Sequence, residues 1–196
     1  MFKFITSKKY WSEAAGRLSD LRVMLICSMC IALSVILGYF YIPINESLSV
    51  RFTYLATSTV GLVGGPVVAL VFGAAVDLVD YMLHPTNVFF FGYTISSMVG
   101  ALIYALFYYR KRLTVCRVIF CRLFVNLVVN VFMNALWSHI LYGKGYIYRM
   151  VVSYIKNIAL LPIEVAVTVA FFTLLLAAFK TTNYIPNEQI RKITWF

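Results

Sequence analysis

Residues 122–137, RLFVNLVVNVFMNALW, are apolar apart from Arg122, Asn126, Asn130 and Asn134, which recur every fourth position. That spacing predicts a helix with the four polar side chains on one slowly drifting stripe, which Trp137 continues. Lipid would leave each amide without a partner, so the stripe must face protein or a water-filled cavity. Interhelical hydrogen bonds, worth about 0.6 kcal/mol each in membrane bundles, would account for Asn126. Asn134, beside Trp137, better suits contact with a polar ligand, and Asn130 lies between the two.

The rest of the chain agrees with a membrane setting. Of its 196 residues 62% are hydrophobic and 12% charged, with a mean hydropathy of +0.87. A soluble domain carries about 25% charged residues, so this chain cannot cover a water-facing surface. The formal net charge is +10, but its placement argues against a nucleic-acid partner. The cations cluster before the first apolar run, at Arg110-Lys111-Arg112, and after the last run. Positively charged loops stay cytoplasmic, so these clusters report topology.

Six transmembrane helices are expected, in an all-α bundle with both termini cytoplasmic. Residues 1–21 read as a cytoplasmic amphipathic segment at the membrane interface, with Trp11, Ala15 and Leu18 toward lipid. Residues 22–180 form the transmembrane domain and residues 181–196 a cytoplasmic tail. Within the domain the expected helices are 22–41, a short one at 51–63, 66–83, 89–109, 115–142 and 147–179, the last bent near Pro162. Gly64-Gly65-Pro66 is a tight turn with proline opening the third helix. IPINESLSV, HPTN and GKGY are outer loops. Asn45-Glu46-Ser47 matches a glycosylation sequon, a motif short enough to arise by chance. Arg51, Lys144, Arg149 and Lys156 lie at the outer ends of helices, against the charge rule, and an anionic ligand would explain them.

The fourth helix offers the hydroxyls of Thr94 and Ser97 in its outer third, and Ser97 with Gly100 and Ala101 is small enough to let a neighbouring helix or a flat ligand come close. The sixth carries Arg149, Lys156, Asn157 and Glu164. Lys156 needs a partner at its depth: Glu164, Asp77 or a ligand carboxylate. Asp77 and Asp80 invite a metal-dependent phosphotransfer reading, but such sites need more carboxylates, and no nucleophile motif or Walker loop accompanies them. No cofactor or metal is expected. Cys27 and Cys30 have CxxC spacing inside an apolar helix and read as small buried side chains. Ser28 and Ala32 make a small-xxx-small step; Gly61, Gly64, Gly65, Gly73 and Ala74 thin the second and third helices in the same way. Internal packing and a partner's docking surface stay equally open for these positions.

Three stretches carry a resemblance: SVRFTYLATSTVGLVGGPVVALVFGAAVDLVDYMLHP (49–85), FFFGYTISSMVGALIYALFYYRKR (89–112) and KNIALLPIE (156–164). With the helix layout, the chain over residues 20–180 resembles the substrate-binding S components of energy-coupling factor (ECF) vitamin transporters, most closely the folate-specific members. The resemblance implies a multi-pass protein of a Gram-positive bacterial plasma membrane that captures folate outside and hydrolyses nothing itself. It also implies docking onto a transmembrane coupling (T) subunit and two cytoplasmic ATPases. In that family a helix-1 motif, commonly Ala-xxx-Ala, mediates docking, and Ser28-xxx-Ala32 is the nearest match here. A pterin ring would pair with amides and hydroxyls and stack on Trp137 or Phe89-Phe90-Phe91, while cations at the mouth meet its glutamate tail. Substrate contacts are therefore expected from Thr94, Ser97, Asn130, Asn134, Trp137, Arg149 and Lys156. The alternatives are an S component for thiamine or riboflavin and a lipid-phosphate enzyme using Asp77 and Asp80.

Overall fold

The computed structural model describes residues 8–45, 48–83, 89–143 and 145–182. Chain contacts divide it into two compact units, residues 1–109 and 110–196.

The first unit opens with α1 (Lys8–Gly16) and a single 3-10 turn at Arg17–Ser19. Ala14 is fully buried while Trp11 is exposed. Tyr10 meets the ring of Tyr109 edge-on at 5.7 Å. Asp20 then caps α2 (Leu21–Tyr39), its carboxylate accepting from the Arg22 N–H at 3.1 Å.

The segment after α2 corrects the expected outer loop and adds a hairpin to the all-α reading. Residues 41–45 and 48–51 form an antiparallel pair, β1 (Tyr41–Asn45) and β2 (Leu48–Arg51), with Tyr41 opposite Arg51. The alternation Ile42, Ile44 and Leu48, Val50 supports strands. Pro43 is tolerated because a two-stranded ribbon consists only of edges. Arg51 therefore ends a strand, and the short helix begins later than expected, as α3 (Tyr54–Gly64).

At 11 residues α3 extends about 16 Å, roughly half a bilayer core. Gly65 ends it at φ +83° and Pro66 opens α4 (Pro66–Leu83). A β-carbon on Gly65 would stand 3.0 Å from the Tyr109 ring, so both conformation and space require glycine there. α5 (Phe91–Tyr108) packs against α3 and α4 around Ala69, Ala101 and Ala105, all fully buried.

The glycines make that packing possible. A β-carbon on Gly61 would lie 2.9 Å from the Ala105 backbone nitrogen, and one on Gly73 2.8 Å from the Met98 α-carbon. Both glycines are consumed in internal packing, which resolves the open choice against a docking role for them.

The second unit begins at Arg110, a non-glycine residue at φ +54°. Thr114 caps α6 (Val115–Val125) through its hydroxyl, which accepts from the Arg117 N–H. The helix continues as a π-helical segment, Asn126–Met133, and returns to α geometry in α7 (Asn134–Tyr142). The predicted fifth helix is therefore continuous, but its middle is wider than expected. Gly143, at φ +61°, terminates it with an N–H donated to the His139 carbonyl. α8 (Tyr146–Thr182) runs for 37 residues with Pro162 inside.

The described residues are thus helical with one short hairpin. Among them, five helices are long and apolar enough to cross a membrane, and α3 is a shorter apolar helix. Residues 1–7, the Glu46-Ser47 part of the sequon, the HPTN loop, Lys144 and the tail after 182 lie outside the described residues.

Candidate functional site

The polar stripe of the second unit becomes a connected network. Arg122 and Glu164 form an ion pair at 2.7 Å, with their side chains only 2% and 10% exposed. A charge pair this dry in an apolar setting is stable only when well bonded, and removing one partner typically costs about 3–5 kcal/mol. The same Glu164 oxygen accepts from Asn126 Nδ2 at 2.9 Å. Asn126 Oδ1 accepts from Asn130 Nδ2 at 2.8 Å. Asn130 Nδ2 also reaches Asn157 Oδ1 at 3.4 Å, and Asn157 Nδ2 donates to the Ser153 carbonyl at 2.7 Å.

The π segment keeps this row aligned. In an α-helix a step of four residues overshoots a turn by about 40°. A π turn, closed by i→i+5 bonds, holds more residues, so the same step falls short. Alternating the two geometries offsets the drift between Arg122 and Asn134. The Asn134 N–H donates to the carbonyls of Val129 and Val131, marking the return from π to α.

Toward α7 the environment opens. Asn134 is exposed and Trp137 half-buried. Arg149 donates from Nη1 to Ser138 Oγ at 2.9 Å, tying the start of α8 to α7. Lys156 is half-buried on α8, one residue before Asn157. Glu164, one of the candidate partners for Lys156, has its carboxylate bonded to Arg122 and Asn126. At the other end Arg117, in the first turn of α6, donates from Nη1 to the carbonyl of Arg112 in the segment before that helix. Burial pushes the Lys111 ammonium below the usual lysine range, and the Arg117 charge adds to that shift.

The first unit carries its own polar pair. Thr94, buried on α5, donates its hydroxyl to Asp77 Oδ2 on α4 at 2.7 Å. Asp77, rather than Thr94 alone, is therefore the polar group presented there. Ser97 is half-buried, and its carbonyl lines the close approach of Gly73. Asp80 pairs with Arg51 at 3.9 Å across an exposed surface, tying the hairpin base to α4 at little energetic gain. With Asp77 and Asp80 so engaged, no group of three or more His, Cys, Asp or Glu among the described residues could hold a metal ion.

Comparison with known proteins decides what these networks belong to. The family described as ECF transporter, substrate-specific component, matches residues 22–186. The chain belongs to that family. A relative from Clostridium novyi (strain NT), a folate transporter FolT, is 29% identical over 150 residues, covering 76% of this chain and 87% of its own. A FolT from Leuconostoc mesenteroides is 26% identical over 155 residues, covering 76% and 83%. Among solved structures, one described as FolT bound with folic acid is similar with a TM-score of 0.70 at 26% identity, over 86% of this chain and 97% of that one.

As an S component the chain is a multi-pass protein of the cell membrane and a transporter subunit, not an enzyme. Its helix-1 step now stands apart from the glycines. Ser28 and Ala32 are both exposed on α2, among exposed Met24, Leu25, Met29 and Ile36, while the buried face is Val23, Cys27, Cys30 and Ser34. Sequence reasoning missed Asp77 as the partner of Thr94 and Glu164 as the anchor of the amide row. For Glu164 a signal was available: a buried arginine at the base of an amide stripe demands a carboxylate.

Proposed function

We propose that this S component captures folate from outside the cell and delivers it inward when docked on an ATP-driven coupling module. The observation that carries the reading is the likeness, over most of the chain, to a folic-acid-bound FolT, together with folate transporters among its relatives. The chemistry agrees. A pterin has a flat face and a rim of donors and acceptors, which suit the half-buried Trp137 and the amides Asn130 and Asn134. The glutamate tail is anionic, and Arg149 and Lys156 supply cations on the same unit. Thr94 and Ser97 on α5 are the remaining proposed contacts, with Thr94 acting through its bond to Asp77.

In this reading five long helices and the shorter α3 make six membrane segments, with both termini cytoplasmic. The inner cation clusters support that orientation. The exposed Ser28 and Ala32 are the proposed contact for the transmembrane coupling subunit, which works with two cytoplasmic ATPases. The small side chains there allow close helix approach and take no part in the packing of the first unit.

A thermal-shift panel on the purified protein in detergent, with folate, thiamine, riboflavin and biotin, tests the substrate. Ligand at a hundredfold excess over its Kd stabilises the folded state by about 2.7 kcal/mol. A shift with folate alone is expected. A shift with thiamine or riboflavin in its place would overturn the folate assignment.

A further inference from the structure

The amide row of the second unit has a direction. An asparagine side chain offers two N–H donors at one end and an acceptor oxygen at the other, so its orientation follows from its partners. Here both routes into Asn130 end on groups that can only accept. On one route the ionised Glu164, bound to Arg122 at 2.7 Å, accepts from Asn126 Nδ2. Asn126 must then turn its oxygen toward Asn130. On the other route the Ser153 backbone carbonyl accepts from Asn157 Nδ2, and Asn157 in turn offers its oxygen to Asn130. Asn130 Nδ2 thus donates toward two acceptors, and both its hydrogens are engaged within the protein. What Asn130 has left to offer is its carbonyl oxygen, and among the described residues no donor reaches it.

We propose that Glu164 is a positioning residue for ligand recognition: through Asn126 it holds Asn130 with its carbonyl outward, so that the site selects a ligand edge that donates N–H. In folate, whose binding this inference assumes, that edge is the exocyclic 2-amino group with the adjacent ring N–H. Glu164 touches no ligand in this scheme. Its role is to forbid the flipped state, in which Asn130 would present N–H groups and favour an accepting edge. Glutamine at position 164 can donate or accept and so removes the directional constraint while keeping the shape.

The test compares folate with 2-desaminofolate, which lacks the exocyclic amine, by isothermal titration on the full-length protein in detergent. Wild-type protein is expected to prefer folate at least tenfold, because the analogue leaves an acceptor unmet. In Glu164→Gln the folate affinity is expected to fall while that of the analogue holds, reducing the preference to about threefold or less. Should Glu164→Gln fail to fold with Arg122 left unpaired, the double variant Arg122→Met/Glu164→Gln removes that charge, and the same fall in preference is expected. Equal weakening of both ligands in either variant would show a merely structural role and overturn the inference, as would a wild-type protein without preference. Absence of folate binding by the wild type would instead overturn the folate assignment itself.

Discussion

Gly73→Ala adds one methyl group where α4 and α5 meet. The new carbon would stand 2.8 Å from the Met98 α-carbon, 2.9 Å from the Ser97 carbonyl oxygen and 3.0 Å from the Met98 nitrogen. All three are backbone atoms, so no rotamer change relieves the contact. The helices must part by about 0.7 Å before that carbon pair reaches even the short end of the usual range near 3.5 Å. Parting them loosens the contact among Ala69, Ala101 and Ala105. Overpacking of this kind costs about 1–3 kcal/mol, offset by roughly 0.5–1 kcal/mol from replacing a helical glycine. The net is a loss on the order of 1–2 kcal/mol, or a Tm lower by about 2–8 °C for a chain of this size. Gly16→Ala is the control: nothing lies within 4 Å of its would-be β-carbon, so its Tm should hold or rise slightly. The assay is ligand-free thermal unfolding in detergent. A Gly73→Ala protein with unchanged Tm that no longer assembles with the coupling module would refute the packing account and return Gly73 to a partner surface.

Arg122→Met and Glu164→Leu should each lower stability by about 3–5 kcal/mol, while the double variant recovers most of the loss because no charge is left unpaired; thermal unfolding of the three variants reads this, and a double variant as unstable as the sum of the singles would count against the pair. Lys156→Met should weaken folate binding tenfold or more, as expected for a lost charged contact, whereas Lys180→Met at the far end of α8 should leave the Kd unchanged; equal effects in titration would displace the ligand from Lys156. Ala32→Leu should alter stability by less than about 0.5 kcal/mol yet abolish co-purification with the coupling subunit, and undiminished co-purification would remove α2 from the interface.

The helices were legible because each rests on a strong local signal. Apolar runs near bilayer length marked the long helices, and Gly64-Gly65-Pro66 placed the break between α3 and α4 within a residue. The polar stripe announced a polar interior, and Arg122, Asn126 and Asn130 of its four members join one network. The hairpin was not legible. Pro43 reads as a strand breaker, and a two-stranded ribbon lacks the sheet context that makes alternation conspicuous. The roles of the small residues were hidden for a different reason. Gly73 and Ser28 are both small residues in apolar helices, and only the position of a neighbouring backbone tells close packing from an unfilled surface. Partners across the network were equally hidden, since Glu164 lies 38 positions beyond Asn126 and spacing cannot say which of two cations it meets.

The π segment also acts as a reserve of length within the helix. A π turn inside an α-helix is equivalent to one inserted residue, since five residues in π geometry rotate about as far as four in α geometry. Removing one apolar residue between Asn126 and Met133 would let the helix close as α throughout while everything beyond kept nearly its present phase. Trp137, Ser138 and the Arg149 contact would then stay on the face that Arg122 and Asn126 occupy. The same deletion within α6 or α7, which hold no surplus residue, would swing everything beyond it by about 100°. Within this helix the cost of a deletion depends on where it falls.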